Sequence, residues 1–261
     1  MYFSEMPEGI ICLSIVPVRQ EPSGKSTMVN QLLFGDTVAI LEEYNDWLKI
    51  SGFADSYEGW CESSQVVRLE SPLTKSNPHL VNDITATLKG PDSDITVVYG
   101  SSMLFSNDEK RLISFNNENY FHIEGEIRKA FDLKGSNVVA SAMKLIGVPY
   151  LWGGRSPFGI DCSGLVQIAF KMVGMDLPRD AWQQAEFTNN FVDLIGEARP
   201  GDVAFFDNDE GKIIHTGILT GQGQIVHASG KVKIDPIDHY GIFNKKSGTY
   251  SHRLRWVKRF I

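Results

Sequence analysis

The apolar positions of this chain follow two different periods. Over the first seventy residues they fall in short runs, 11–16, 28–34, 37–41, 47–50, 59–61 and 65–67, separated by Gly, Pro, Asn and Asp. Residues 17–24, with two prolines and a glycine, read as a polar loop. Short β-type runs at this spacing predict a small barrel. Residues 71–130 are less regular. Ser71-Pro72 and Asn77-Pro78 punctuate a linker, 86–88, 95–99 and 120–123 read as strands, and the charged 109–111 as a turn. A second, divergent barrel fits that length. Beyond residue 135 the period lengthens. Val138, Val139, Ala142, Met143 and Ile146 recur at helical spacing and Gly147 stops them. A second helix is predicted over 162–173, halted by Gly174, and a short third one over 182–187. Strands follow at 203–206, 213–219 and 224–228, with a last one near 254–260. Helices first and strands afterwards make this third part α+β.

Composition narrows the partners rather than the fold. The 261 residues are 42% hydrophobic and 22% charged, as in ordinary globular chains, and the net charge is -7. That balance disfavours nucleic acid or an anionic membrane surface as the main partner. Cys12, Cys61 and Cys162 are too few and too scattered for a disulfide framework. A Cys12–Cys61 bridge is conceivable, and separate thiols are the simpler expectation. No apolar run reaches the eighteen residues of a membrane span. The first residues carry acidic groups ahead of a short apolar run, the reverse of a secretory signal, so a cytoplasmic location is expected, or a periplasmic or wall location had a leader been removed.

One stretch carries chemistry. A Gly/Pro/aromatic loop from Gly147 runs into Asp161-Cys-Ser-Gly164 and then a strongly apolar segment. The pattern puts Cys162 in the first turn of a buried helix with Asp161 as its cap. A helix N-terminus favours thiolate over thiol, which predicts a reactive cysteine. A lone cysteine is also commonly a buried structural residue, so a histidine partner decides. His215 and His227 lie twelve apart about Gly221-Gln-Gly223. In a hairpin they share one face only if the loop holds an odd number of residues, which a three-residue loop 221–223 satisfies. Zinc is the competing use of two such histidines, with Cys162 as third ligand; the glycine-rich approach and the helix start favour a nucleophile. Cys162 would attack a carbonyl, His215 would move the proton and His227 would orient His215. His79 and His122 have no acidic or cysteine partner at ligand spacing.

The order of these motifs carries a resemblance. Tyr150-x-Trp-Gly-Gly154, Asp161-Cys-Ser-Gly164, Arg199-Pro-Gly-Asp202, His215-Thr-Gly217 and Ile225-Val-His227 resemble the NlpC family of bacterial cell-wall cysteine peptidases over roughly 135–261. The resemblance implies a papain-like fold, cleavage of γ-D-glutamyl–diamino acid bonds in peptidoglycan stem peptides, and Tyr150 as an oxyanion contributor beside Cys162, His215 and His227. Upstream, Val18-Arg-x-Glu-Pro-Ser23, Gly35-Asp-Thr-Val38, Trp47-Leu-Lys-Ile50 and Glu58-Gly-Trp60 resemble a bacterial SH3-like domain. Two such domains before an NlpC domain resemble the murein-recycling dipeptidyl peptidases, which need a free N-terminal L-alanine and release L-Ala-γ-D-Glu. By that resemblance Glu21 and Tyr57 recognise the amine, and Trp152, Asp161, Ser163 and Asp180 line the groove. Ala181 departs from the serine that often follows the acidic residue in those enzymes. Each of these residues also has a plainer reading: a solvated acid for Glu21, a barrel residue for Tyr57, packing for Trp152, caps for Asp161 and Ser163. Arg155 reads as a surface residue.

The expectation is therefore an α+β papain-like cysteine peptidase domain over 131–261, preceded by one or two all-β SH3-like barrels at 1–70 and 71–130. The expected substrate is a murein tripeptide or longer stem peptide. A monomer is expected, with no cofactor, metal, nucleic acid or membrane. Alternatives are a wall endopeptidase or amidase acting on intact peptidoglycan, and a non-catalytic peptide-binding module.

Overall fold

The structure is a computed structural model that describes residues 6–70, 78–90, 93–104, 112–115 and 119–261. The linker positions at 71–77 and the turn at 109–111 lie outside the described residues. The chain divides into two compact units, Met1–Ala130 and Phe131–Ile261.

The first unit is all-β among its described residues. Strands β1 (Glu8–Ile10), β2 (Ile15–Arg19), β3 (Met28–Leu33), β4 (Thr37–Tyr44), β5 (Trp47–Gly52), β6 (Glu58–Glu62) and β7 (Val67–Arg68) form one sheet in the order β3-β2-β6-β5-β4-β1-β7. The strand expected at 11–16 is displaced. Residues 11–14 connect two strands, and β2 continues through Pro17 into what reads as loop. Val16 and Val18 bury their side chains on either side of that proline. Pairing with β6 occurs only at Arg19, so the N–H that Pro17 lacks breaks no ladder bond on that side.

Residues 78–128 add β8 (His79–Val81), β9 (Thr85–Lys89), β10 (Asp94–Val98), β11 (Ser102–Met103), β12 (Leu112–Phe115), β13 (Asn119–Glu124) and β14 (Ile127–Arg128) in two small antiparallel sheets. The two halves of this unit are not separate beads. Ile10 and Phe34 pack in one buried cluster with Val81, Leu88, Val97, Met103 and Ile123. The Ser102 N–H donates to the Phe34 carbonyl at 2.8 Å. Gly35, at φ 80°, lies where a Cβ would stand 1.9 Å from the Ser102 carbonyl oxygen, so only glycine permits this approach. Cys12 and Cys61 are free thiols.

The second unit opens with helix α1 (Gly135–Met143), a two-stranded ribbon of β15 (Arg155–Ser156) and β16 (Gly159–Ile160), helix α2 (Cys162–Lys171) and helix α3 (Ala181–Glu186). An antiparallel sheet follows, built from β17 (Val203–Asp207), β18 (Ile213–Gly221), β19 (Gln224–Ser229), β20 (Lys231–Pro236), β21 (Gly241–Asn244) and β22 (Thr249–Lys258) in the order β20-β19-β18-β17-β22-β21. Every residue of β17 is buried, as befits a central strand. Helix α2 is buried from Cys162 through Phe170 and packs on β18 and β19. That contact brings the cysteine to the histidines. Strands β20 and β21 have no counterpart in the sequence pattern, because their apolar residues are few and interrupted by lysines, Pro236 and Asn244.

Candidate active site

Asp161, in extended conformation, caps α2: its Oδ1 accepts from the Gly164 N–H at 2.7 Å. Its Oδ2 accepts from the Gly153 N–H at 2.9 Å, which ties the Gly-Gly loop to the helix start. The glycines are needed for close approach. A Cβ on Gly154 would stand 2.4 Å from the Gly159 carbonyl oxygen, and one on Gly164 would stand 2.3 Å from the Gly154 carbonyl oxygen. Cys162 follows immediately and is 7% exposed. The backbone N–H groups of Ser163 and Thr216 both reach its sulfur. Thr216 is the neighbour of His215 on β18, so the thiol lies beside the strand that carries the expected base.

His215 and His227 do share a face, by a route that differs from the expected three-residue loop. Gly221 pairs with Gln224 across a two-residue turn, Gln222-Gly223, which alone would separate the two side chains. A bulge between Leu219 and Gly221 inserts one residue, and beyond it the pairs are Leu219–Ile225 and Ile218–Val226. The parity is thereby restored. Nε2 of His215 lies 2.9 Å from Nδ1 of His227. His227 is fully buried and its Nε2 lies 3.1 Å from Oδ2 of Asp235. Lys233 Nζ stands 2.9 Å from that same oxygen. The ring of His252 stacks on His215, centroids 4.1 Å apart and planes 24° apart. The face of the base is thus covered. Among the described residues no group of three or more His, Cys, Asp or Glu side chains is arranged to hold a metal ion.

Electrostatics corrects one expectation. The helix start favours thiolate, yet burial first, and the Asp161 charge second, push the Cys162 thiol up to about 12. The Thr216 and Ser163 N–H groups and Arg179 act in the opposite direction without reversing the shift. Burial holds His215 well below the ordinary imidazole value, with His252, His227 and Lys233 adding to the effect. Burial likewise lowers His227 to about 4, against the hydrogen bond and charge of Asp235. All three shifts favour the uncharged forms, a thiol beside two neutral imidazoles. Burial chiefly pushes the Tyr150 phenol up to about 12, so it keeps its proton as a hydrogen-bond donor.

Residues 147–249 match the model of the NlpC/P60 family, and residues 15–67 match that of the bacterial SH3 domain. The chain carries an NlpC/P60 domain behind a bacterial SH3 domain. The NlpC/P60 match makes its kind a cysteine peptidase. It is 27% identical over 255 residues to dipeptidyl-peptidase 6 of Lysinibacillus sphaericus, covering 88% of this chain and 91% of that protein. It is 26% identical over 249 residues to the gamma-D-glutamyl-L-lysine dipeptidyl-peptidase of Bacillus cereus (strain ATCC 10987 / NRS 248), covering 84% of this chain and 73% of that one. An NlpC/P60 family protein from Bacillus cereus ATCC 10987, solved at 1.79 Å, shares the fold with a TM-score of 0.81 at 21% identity, over 97% of this chain and 99% of that chain.

Within the NlpC/P60 domain the residues expected to line the groove divide. Trp152 is 63% exposed, so it is not a packing residue. Asp161 and Ser163 are turned inward. Arg179, 1% exposed, donates to Asp161 Oδ1 at 3.0 Å and Oδ2 at 2.5 Å, and to Ser163 Oγ at 2.9 Å. With the two backbone donors as well, the Asp161 carboxylate is fully engaged inside the protein. Capping and ion pairing thus engage both Asp161 oxygens, and the same arginine holds Ser163 Oγ. Asp180 stands at the N-terminus of α3, where its N–H donates to Gln183 Oε1 at 3.0 Å. Arg155 is buried, at 6% exposure, and not a surface residue. In the SH3 unit Glu21 is exposed just beyond β2 and Tyr57 is half-buried just before β6.

Asp235, His252 and the buried role of Arg179 were not legible in the pattern. Asp235 had a readable signal. Gly230, at φ 71°, makes the turn by which Ser229 pairs with Lys231, and equal parity then sets Lys233 and Asp235 on the face of His227.

Proposed function

We propose that this chain is a dipeptidyl peptidase that hydrolyses the γ-D-glutamyl–diamino acid bond of murein stem peptides with a free N-terminal L-alanine, releasing L-Ala-γ-D-Glu. The observation that carries the reading is the buried His215–His227 pair at 2.9 Å beside a cysteine at the start of α2. The names of relatives at 26% and 27% identity over most of the chain support the bond and the exopeptidase mode.

In the first half-reaction His215 takes the Cys162 thiol proton as the sulfur bonds to the γ-carbonyl carbon, and the carbonyl oxygen becomes an oxyanion. The Tyr150 hydroxyl and the Cys162 N–H donate to that oxyanion. The intermediate collapses as His215 returns the proton to the departing amine and the C–N bond breaks. Water then loses a proton to His215 and adds to the thioester. The C–S bond breaks, the sulfur recovers the proton, and the γ-carboxylate leaves. A neutral base suits this sequence, because an imidazole already protonated could not accept from the thiol. Glu21 and Tyr57 are assigned the ammonium by resemblance alone, a carboxylate and a phenol being suitable partners for it.

Incubation with L-Ala-γ-D-Glu-diaminopimelate, read by mass spectrometry, tests the proposal. The expected product is L-Ala-γ-D-Glu, absent with Cys162→Ala, and N-acylation of the substrate abolishes its release. Equal cleavage of the acylated peptide, or solubilisation of intact sacculi, would turn the assignment toward a wall endopeptidase.

A further inference from the structure

We propose that Asp235 sets the tautomers of both histidines and thereby places the reactive lone pair on Nδ1 of His215. The inference rests on Cys162 and His215 as nucleophile and base, but not on which peptide is cleaved.

An ionised carboxylate only accepts hydrogen bonds. Two donors hold Asp235: Lys233 Nζ at 2.9 Å and the His227 ring at 3.1 Å. Burial alone would raise its carboxyl, yet the hydrogen bonds and charges of Lys233 and His227 leave it below the ordinary value, so it stays ionised. His227 must therefore carry its proton on Nε2. Being neutral, it has only one, and its Nδ1 is an acceptor. The nitrogen 2.9 Å from that acceptor, Nε2 of His215, must then be the N–H. His215 is also neutral, so its Nδ1 is left with the lone pair. The opposite pair of tautomers would set the His227 Nε2 lone pair against the carboxylate at 3.1 Å, two acceptors with no proton between them. It would also put a proton on the His215 nitrogen that has to receive one. Asp235 touches no reacting atom; it is a positioning residue acting through His227. A network satisfied along its whole length specifies one proton arrangement.

The test uses the full chain, with Asp235→Asn, Asp235→Ala and Asp235→Glu. Asn keeps the shape but can donate to His227 Nε2, which would move the protons to Nδ1 of both rings. In histidine labelled with 15N, the parent is expected to show Nε2 protonated and Nδ1 unprotonated on His215 and His227. Asp235→Asn is expected to reverse this, and Asp235→Glu to retain it. Alkylation of Cys162 by iodoacetamide, followed by mass spectrometry of its peptide, should slow on the order of 10–100-fold in Asp235→Asn, less in Asp235→Ala, and least in Asp235→Glu. On the diaminopimelate peptide kcat should fall in the same order with KM nearly unchanged. A parent with His215 protonated on Nδ1 overturns the proposal. So does an Asn variant that alkylates like the parent, or Asn and Ala variants equally impaired and equally lowered in Tm, which indicates packing alone. If the parent cleaves no murein peptide yet the NMR and alkylation results follow the expected order, the tautomer assignment stands and the substrate assignment falls.

Discussion

Arg179 grips both carboxylate oxygens of Asp161, at 3.0 and 2.5 Å, and both side chains are buried. The pair lies under the first turn of α2, and Asp161 spends its remaining acceptor capacity on the Gly153 and Gly164 N–H groups. Removing the cation leaves a buried charge next to the nucleophile. Arg179→Ala is therefore expected to cost about 3–5 kcal/mol of stability by urea unfolding, where an exposed pair would cost under about 1. Arg179→Lys should recover only part of it, since an ammonium cannot match the two-pronged geometry or also reach Ser163. A loss below about 1 kcal/mol in Arg179→Ala would show that the site relaxes or admits water.

Gly217 shapes the histidine pair from below. A Cβ there would stand 2.8 Å from Cβ of His227 and 2.9 Å from the Val226 carbonyl oxygen, neither of which is a flexible end. Gly217→Ala should push β19 from β18, at roughly 1–3 kcal/mol in stability. It should also lengthen the 2.9 Å contact between the imidazoles. The expected kinetic signature is a kcat reduced on the order of tenfold or more with KM within a few-fold, because the base is misoriented while the groove is not. A rise in KM alone would place the damage elsewhere.

His227 makes stability depend on pH with a definite sign. Its folded value, about 4, lies below the ordinary 6.5. Above the ordinary value both folded and unfolded chains hold it neutral, and its contribution is complete. Between 6.5 and 4 the unfolded chain takes up a proton that the folded chain refuses, so stability falls with pH, by roughly 3 kcal/mol over the window. His215 and His252, also lowered chiefly by burial, act in the same direction. Urea unfolding free energies from pH 7 to 4 should drop steeply for the parent and less steeply for His227→Asn. Parallel curves would mean that the ring protonates inside the fold.

What the chain disclosed and what it withheld have physical reasons. The helix at Cys162 was legible because a capping acid, a small-residue turn and an apolar run follow one another, and local signals of that kind survive into the fold. The shared face of His215 and His227 was legible by parity, although the bulge that delivers it was not, since Gly221-Gln-Gly223 is equally compatible with a three-residue loop. Asp235 was readable only once Gly230 is taken as the turn that sets its parity with His227, whereas His252 stayed hidden because it reaches the site through the pairing of β17 with β22, a relation between distant residues that no local period encodes. Asp161 was legible as the helix cap, while its ion pair was not, because Arg179 stands eighteen residues on and no local pattern joins the two.

The same burial that orders these groups decides how the nucleophile is made. Burial raises the Cys162 thiol and holds His215 well below the usual imidazole range, and both shifts disfavour a preformed thiolate–imidazolium pair. The proton moves only as the sulfur attacks. Without a preformed pair, the thiolate fraction is governed by a single high pKa, and it should rise about tenfold per pH unit through the neutral range. Iodoacetamide modification of Cys162, resolved from Cys12 and Cys61 by peptide mass spectrometry, should therefore accelerate log-linearly from pH 6 to 9 with no shelf at the acid end. Arg179→Ala should slow it further, because Arg179 is one of the groups that lower the thiol, while Asp161 raises it. A plateau between pH 5 and 7, the sign of an ion pair already formed, would sink the general-base description and require that the helix start and the Thr216 N–H outweigh burial at this sulfur.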